Sequence, residues 1–205
     1  GSAISGNWYF LSGVDNISDR LVPISKGSTT YYTEHVSRLK VQQVTSSITN
    51  QPCFYVWDPS GTYYEYGCTG DSLQYSTDSG GTRTNYRWDL DRVTPANEGP
   101  GTSTRYTTVT YLQDKIGSTI RDAVIKQISY GTGTNGTALS GTVDFLYNGV
   151  TAYLQNGIQF VTAYGNNEHG CVPPGTSPPP TTLRCDDPIN YTGGVNAPTV
   201  MSTYS

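Results

Sequence analysis

Alternation between apolar and polar residues, interrupted by turn-forming residues, predicts that this chain is built from short β-strands. The clearest unit is a hairpin, in which residues 54–57 (Phe-Tyr-Val-Trp) meet an Asp-Pro-Ser-Gly turn at 58–61 and return as residues 62–66. β-Branched and aromatic residues favour strands because they pack well on a pleated sheet. The same pattern predicts further strands at residues 31–44, 85–93, 107–112, 143–147 and 158–164.

The segment 116–130 fits two patterns. Four aliphatic residues recur at every fourth position and could line one face of a helix: Ile116, Ile120, Val124 and Ile128. Val124 and Ile128 also share one side of a strand, and Gly117 disfavours a helix. We therefore predict a strand over about 123–130.

The spacing of these elements predicts the fold class. Strands recur every 8–15 residues or so and are joined by Gly, Asn and Asp turns, which is typical of all-β proteins. We expect an antiparallel β-sandwich or a curled β-sheet, with long loops and little or no helix. Residues 1–205 would form a single β domain, with residues 172–180 as a proline-rich surface loop. The last residues, 200–205, still resemble a strand, which suggests a fragment of a longer protein.

Composition narrows the function classes. Only 14% of residues are charged, while 23 Gly and 12 Pro among 205 residues argue against a coiled coil or a helical bundle. The net charge of −4 and the small number of basic residues (12 Lys plus Arg) argue against an electrostatic nucleic-acid binder. No apolar run is long enough to cross a membrane. The class of protein that composition leaves open is a secreted or cell-surface β domain.

Four cysteines form two local pairs, Cys53 with Cys68 and Cys171 with Cys185. A simple hairpin would place Cys53 directly opposite Cys68, close enough for a disulfide, although a bulge at the turn would shift the register by one residue. The second pair flanks the proline-rich loop. Disulfides favour an oxidising, extracellular compartment. The alternative is four buried free thiols.

A series of short phrases in the middle of the chain is similar to a known family. Residues 58–67 read Asp-x-x-Gly-Thr-x-Tyr-x-x-Gly, and they are followed by Trp-Asp-Leu-Asp-Arg-Val-Thr from Trp88, Thr-Val-Thr-Tyr at 108–111 and Ile-Lys-Gln-Ile-Ser-Tyr-Gly at 125–131. Their order resembles the region that precedes the repeats in secreted bacterial RHS/YD-repeat polypeptides. It is also similar to the N-terminal part of the B component of insecticidal toxin complexes.

The resemblance covers about residues 54–147 and has visible departures. Tyr66 replaces the usual Phe, the segment 94–99 lacks the family's Asp-x-Asn-Gly-Asn, and no YD repeats are present. The family implies an antiparallel β architecture, export, and a non-enzymatic structural, shell or delivery role. The catalytic toxin, where there is one, lies in a separate segment. The implied partner is the remainder of the same polypeptide.

Two carboxylates offer a metal-site hypothesis. Asp89 and Asp91 are two residues apart and so would lie on the same face of a strand. Backbone carbonyls of the loop 94–99 could complete a calcium site, which needs six to eight oxygens. The alternative is that both carboxylates face solvent while Trp88 and Leu90 point inward. No other cofactor is expected, and neither His35 nor His169 lies in a catalytic motif.

Aromatic residues offer a second hypothesis. The strands of the predicted hairpin carry Tyr55 and Trp57 opposite Tyr63 and Tyr64, and Trp88 follows on a later strand. If one face of the sheet is exposed, these rings would form a platform on which sugar rings stack. The alternative is that they are cross-strand pairs that stabilise the sheet.

Three functions therefore remain open. The first is a structural, shell or delivery domain without enzymatic activity, and the second is a carbohydrate-binding module that uses the exposed aromatic residues. The third is a self-associating subunit of an extracellular fibre, because a terminal strand can pair with the sheet edge of another chain.

Overall fold

The structure is a computed structural model, which describes about two thirds of the chain. The described residues are 9–14, 16–35, 38–78, 80–96, 98, 104–116, 119–133, 140–145, 151–155, 158–162, 189–190 and 197–198. Within these ranges the chain is all-β and contains no helix. It follows that no helix of the described part could cross a membrane. The prediction of an all-β fold is confirmed.

Sixteen strands make up the described structure. In chain order they are β1 Tyr9–Val14, β2 Ile17–Pro23, β3 Thr30–Thr33, β4 Lys40–Thr45, β5 Pro52–Trp57, β6 Tyr63–Tyr66, β7 Leu73–Thr77, β8 Arg83–Trp88, β9 Leu90–Thr94, β10 Arg105–Ile116, β11 Thr119–Thr132, β12 Gly141–Asp144, β13 Thr151–Gln155, β14 Ile158–Thr162, β15 Ile189–Asn190 and β16 Ala197–Pro198.

Most of these strands belong to one large antiparallel sheet. Its order is β1-β2-β3-β4-β5-β6-β9-β10-β11-β12, so nearly every strand pairs with its neighbour in sequence. β14 pairs with β10 in parallel and with β13 in the antiparallel sense. β7 and β8, which lie between β6 and β9 in the sequence, form a separate two-stranded sheet. β15 and β16 form another.

The large sheet has two chemically different faces, because successive side chains of a strand point to opposite sides. One face, here called the inner face, carries the main hydrophobic core. Its members on the first five strands include Leu11, Leu21, Tyr31, Val41, Phe54 and Val56. The other face, here called the outer face, carries the residues that alternate with them.

The segment 123–130 is a strand, as predicted. It lies within β11, which pairs along its whole length with β10. Val109 and Tyr111 of β10 are buried together with Ala123 of β11, and Ile125 and Ile128 pack against them. The long partner strand therefore outweighs the four-residue spacing of the aliphatic residues, which on its own would suit a helix.

Two predicted strands are each divided in the structure. The predicted strand 31–44 is split into β3 and β4. The predicted strand 85–93 is split into β8 and β9, which belong to different sheets. The break lies at Asp89, whose backbone N–H donates to the carbonyl of Ser72 while its carbonyl accepts from Gly67. Asp89 is thus the point at which the chain passes from the small sheet to the large one.

The register of the β5–β6 hairpin decides how the first cysteine pair meets. Phe54 lies opposite Tyr66 and Trp57 opposite Tyr63, so a regular ladder would place Cys53 opposite Gly67. The prediction of directly opposed cysteines is therefore wrong by one residue, and the bulge alternative is correct. Cys53 and Cys68 nevertheless form a disulfide, with their Cα atoms 5.1 Å apart. The chain turns after β6 at Gly67, which has a φ of 68°.

Several predicted features lie outside the described residues. These are the second cysteine pair, Cys171 with Cys185, the proline-rich loop 172–180, and His169.

Candidate functional site

The aromatic residues of the hairpin are divided between the two faces of the large sheet. Tyr55, Trp57 and Tyr63 lie together on the outer face, because Trp57 pairs with Tyr63 and Tyr55 is two residues from Trp57. Tyr64 lies on the inner face, where it packs against the hydrophobic core together with Trp88. The five aromatic residues predicted from the sequence therefore do not form one platform.

The three outer rings pack against one another. Ring centroids are 6.2 Å apart for Tyr55 and Trp57, 5.1 Å for Tyr55 and Tyr63, and 5.2 Å for Trp57 and Tyr63. Tyr63 is almost completely buried, with 1% of its surface exposed, whereas Tyr55 and Trp57 are half-buried. The Lys40 ammonium lies 4.5 Å from the centroid of the Trp57 ring, a cation–π distance.

The inner rings belong to the core. Tyr9, Tyr31, Phe54 and Trp88 make edge-to-face contacts with centroids 4.9–6.2 Å apart. The indole N–H of Trp88 donates to the carbonyl of Pro52 at 2.7 Å, which fixes the end of β8 against β5. The hydroxyl of Tyr64 donates to Asp58 in the hairpin turn at 3.1 Å. Trp88 thus ties the small sheet to the large one, and Tyr64 ties β6 to the hairpin turn.

The structure adds two outer-face aromatic residues that the sequence prediction missed. Tyr32 of β3 is 41% exposed and Phe10 of β1 is 68% exposed. Phe10 pairs with Arg20, and Tyr32 pairs with Val22. Alternation within β1 and β3 could have suggested two exposed aromatic residues, but only the register across five strands places them on the face of Trp57.

Next to the outer aromatic residues lies a partly buried ion pair. Oε1 of Glu65 is 3.8 Å from Nε of Arg92, and the guanidinium of Arg92 stacks over Tyr106 at 4.0 Å. Burial, and to a smaller extent the nearby Asp91, raise the pKa of Glu65, while Arg92 lowers it, and the net pKa is about 7. Glu65 can therefore exchange a proton near neutral pH.

Asp91 is a buried hydrogen-bond acceptor, with 4% of its surface exposed. Its Oδ2 accepts from the backbone N–H of Cys68 at 2.5 Å, from that of Thr69 at 3.2 Å and from the hydroxyl of Ser72 at 2.8 Å. Burial raises the pKa of Asp91, and these hydrogen bonds oppose the rise. The carboxylate holds the disulfide-bonded segment 68–72 against β9.

Asp89 is also buried, so the alternative in which both carboxylates face solvent is wrong. Oδ2 of Asp89 accepts from Nε2 of Gln74 at 2.7 Å, and Oδ1 accepts from Nε of Arg87 at 2.8 Å. The sequence could not show this, because the two carboxylates become enclosed only when the small sheet folds against the large one. Calcium binding at Asp89 and Asp91 stays a prediction, and it would have to displace these donors.

Two groups of potential metal ligands occur in the described part of the chain. In the first, Glu65 and Asp91 lie near Cys68, whose sulfur is already part of the disulfide. In the second, Asp19 and Glu34 lie near His35. Neither group supplies three uncommitted ligands, because in the second group Glu34 pairs with Arg20.

His35 is bound to Asp19 at both its backbone and its ring. The backbone N–H donates to Oδ2 of Asp19 at 2.6 Å, and Nδ1 lies 2.9 Å from Oδ1. The hydrogen bond from the His35 ring is the main reason that the pKa of Asp19 falls to about 2, and the same bond raises the pKa of His35. This pair ties the end of β3 to β2.

Comparisons with known proteins identify no family for this chain. No family model and no curated protein matches it. Among solved structures, the chain is similar to the N-terminal domain of effector protein SpvB from Salmonella typhimurium strain LT2, with 14% sequence identity and a TM-score of 0.43. The alignment covers 97% of this chain and 61% of that structure, so this chain spans less than two thirds of its length.

Proposed function

We propose that this chain is a non-enzymatic structural domain, with a shell or delivery role, of a secreted polypeptide of the RHS/YD-repeat or toxin-complex type. The main support for this proposal is that buried polar side chains hold backbone segments in place through hydrogen bonds. Asp91 accepts three hydrogen bonds from the segment 68–72. Gln113 donates to the carbonyls of Gly70, Asp71 and Leu73.

The positions of the family-like phrases also support the proposal. The phrase at 58–67 includes β6, the phrase that begins at Trp88 includes β9, and the phrases at 108–111 and 125–131 lie in β10 and β11. These four strands are consecutive neighbours in the large sheet. The resemblance therefore covers four strands that are adjacent in the sheet. This is expected if these short sequence phrases determine how the sheet is built.

The test uses the complete secreted polypeptide in its source cell. Deletion of this domain should abolish secretion or make the remaining polypeptide sensitive to protease. By contrast, His35→Ala and Glu65→Gln, which replace two described groups whose pKa values are raised, should leave any enzymatic activity of the complete polypeptide unchanged. A variant that stays folded and secreted but loses that activity would contradict a non-enzymatic role.

A further inference from the structure

A row of side chains crosses the outer face of the large sheet from β3 to β6. Lys40 pairs with Trp57, and Trp57 pairs with Tyr63. The β3–β4 register, in which Tyr31 pairs with Val41, brings Tyr32 next to Lys40. Because neighbouring strands lie about 4.8 Å apart, Tyr32 and Trp57 are separated by about 10 Å across the sheet. The four residues Tyr32, Lys40, Trp57 and Tyr63 are here called the aromatic row.

The row becomes more exposed toward the β1 edge of the sheet. Tyr63 in β6 is buried, Trp57 in β5 is half-buried, and Tyr32 in β3 is exposed. Beside the row, Thr30 pairs with Gln42 and Gln42 with Tyr55, so polar side chains lie between aromatic ones on the same face. This mixture suits a sugar chain, whose rings offer apolar C–H surfaces for stacking and hydroxyls at their edges for hydrogen bonds.

Lys40 gives the row a positive charge. On the same face Arg20 is paired with Glu34 and Arg92 with Glu65, so each of these two guanidinium groups has a carboxyl partner. Within the described part of the chain, Lys40 has no carboxylate at ion-pair distance, and its ammonium lies over Trp57. A local excess of positive charge on a protein with a net charge of −4 favours an anionic ligand at this place.

We propose that the outer face binds an extended acidic glycan that lies across the strands. Tyr32 and Trp57 stack on its sugar rings, and Lys40 pairs with a sugar carboxylate beside the indole. A protein partner would have to remove water from Lys40 and Gln42, whereas sugar hydroxyls and carboxylates replace that water with hydrogen bonds. The glycan site is independent of the structural role proposed above.

Calorimetry on the complete chain tests the proposal with two straight sugar chains. The probe is a hexamer of β-1,4-linked glucuronic acid, and the neutral comparison is cellohexaose, which has the same linkage and length but no carboxylates. The wild-type protein should bind the acidic hexamer more tightly than the neutral one, and added salt should reduce the difference. Absence of binding to the acidic hexamer at millimolar concentration would overturn the proposal.

Three variants locate the site. Trp57→Ala and Tyr32→Ala should each weaken binding about tenfold, because each removes a stacking surface. Tyr130→Ala is the matched control, since Tyr130 is exposed but lies on the other face, opposite Thr107, and its loss should leave binding unchanged. Equal binding by wild type, Trp57→Ala and Tyr32→Ala would overturn the proposal.

A charge variant tests the choice of ligand. Lys40→Met keeps the aliphatic stem, so it should retain weak binding to cellohexaose and lose the preference for the acidic hexamer. If the preference survives, the acidic glycan is excluded. If circular dichroism shows that Trp57→Ala does not fold, Tyr32→Ala and Lys40→Met provide the test of the binding site, because both replace exposed side chains. Concentration-dependent dimerisation that Tyr32→Ala abolishes would instead assign the face to a second copy of the chain.

Discussion

The backbone N–H of Cys68 donates to the carboxylate of Asp91 at 2.5 Å, and this bond joins the disulfide to the large sheet. Cys68 follows β6 and is bonded to Cys53 of β5, whereas Asp91 lies in β9. Between them the chain leaves the large sheet, forms β7 and β8, and returns. Asp91 therefore fixes both ends of this excursion with one side chain.

We predict that Asp91→Asn lowers the free energy of unfolding by about 2 kcal/mol. The amide keeps the volume but replaces a charged acceptor of three hydrogen bonds with a neutral one. Denaturation in urea measures the change. Asp144→Asn, an exposed carboxylate in β12 that accepts from Gln127, is the matched control and should change stability by less than about 0.5 kcal/mol. An equal effect of the two substitutions would show that the segment 68–72 does not depend on Asp91.

Removal of the disulfide should cost about 3 kcal/mol, because the bond closes a loop with a sequence separation of 15 residues. The double substitution Cys53→Ala with Cys68→Ala tests this in urea under oxidising conditions. Its free energy of unfolding should be about 3 kcal/mol lower than that of the oxidised wild type. A double variant as stable as the oxidised wild type would contradict the prediction.

Gly67 should tolerate no side chain. A Cβ at this position would lie 2.2 Å from Cδ1 of Trp88, and the φ of 68° is unfavourable for any residue with a Cβ. Gly67→Ala should therefore lower stability by at least about 3 kcal/mol, since the indole cannot move without losing its core contacts. Thermal unfolding followed by tryptophan fluorescence measures the loss.

Gly81→Ala is the matched control for Gly67→Ala. Gly81 also has a positive φ, 84°, but a Cβ there would meet nothing within 4 Å. Only the conformational cost remains, which is about 1 kcal/mol. If both alanine substitutions cost the same, the contact between Gly67 and Trp88 is not tight.

Stability should fall as the pH rises from 5 to 8. The pKa of Glu65 is about 7 in the folded chain and 4.5 as its ordinary value, so between these values the folded state binds a proton that the unfolded state releases. The raised pKa of His35 also lowers stability as the pH rises, in the upper part of this pH range. The lowered pKa of Asp19 affects stability only at more acidic pH. We expect Glu65 to contribute a loss of roughly 2 kcal/mol.

Glu65→Gln isolates this contribution. The amide cannot titrate, so the dependence of urea-unfolding free energy on pH between 5 and 8 should become flatter, with the variant gaining relative to wild type as the pH rises. An unchanged slope would show that the proton is not held at Glu65.

Local patterns predicted many of the strands, missed β1, β2, β7 and β13, and could not predict how the strands combine. The hairpin at 54–66 and the strand at 123–130 follow from alternation and turn residues alone. The division of 85–93 at Asp89 could not be foreseen, because both halves are strands and only their partners differ. For the same reason the sequence left open whether Trp88 belongs to the core or to an exposed aromatic platform.

The candidate site was predicted in part. Alternation within one hairpin correctly grouped Tyr55 with Trp57, and the hairpin register adds Tyr63. Tyr32 belongs to the same row only because β3 and β4 pair between them, a relationship that depends on the register of separate strands. The buried carboxylates escaped prediction because short-range alternation does not show which side chains a second sheet will cover.

The most direct test of the structural role is mass spectrometry of the proteins that the source cell secretes. The account predicts that peptides from residues 9–145 occur in the culture medium, within a polypeptide much larger than 22.2 kDa that also yields peptides from YD repeats. Peptides found only inside the cell, or in a secreted polypeptide without YD repeats, would contradict it.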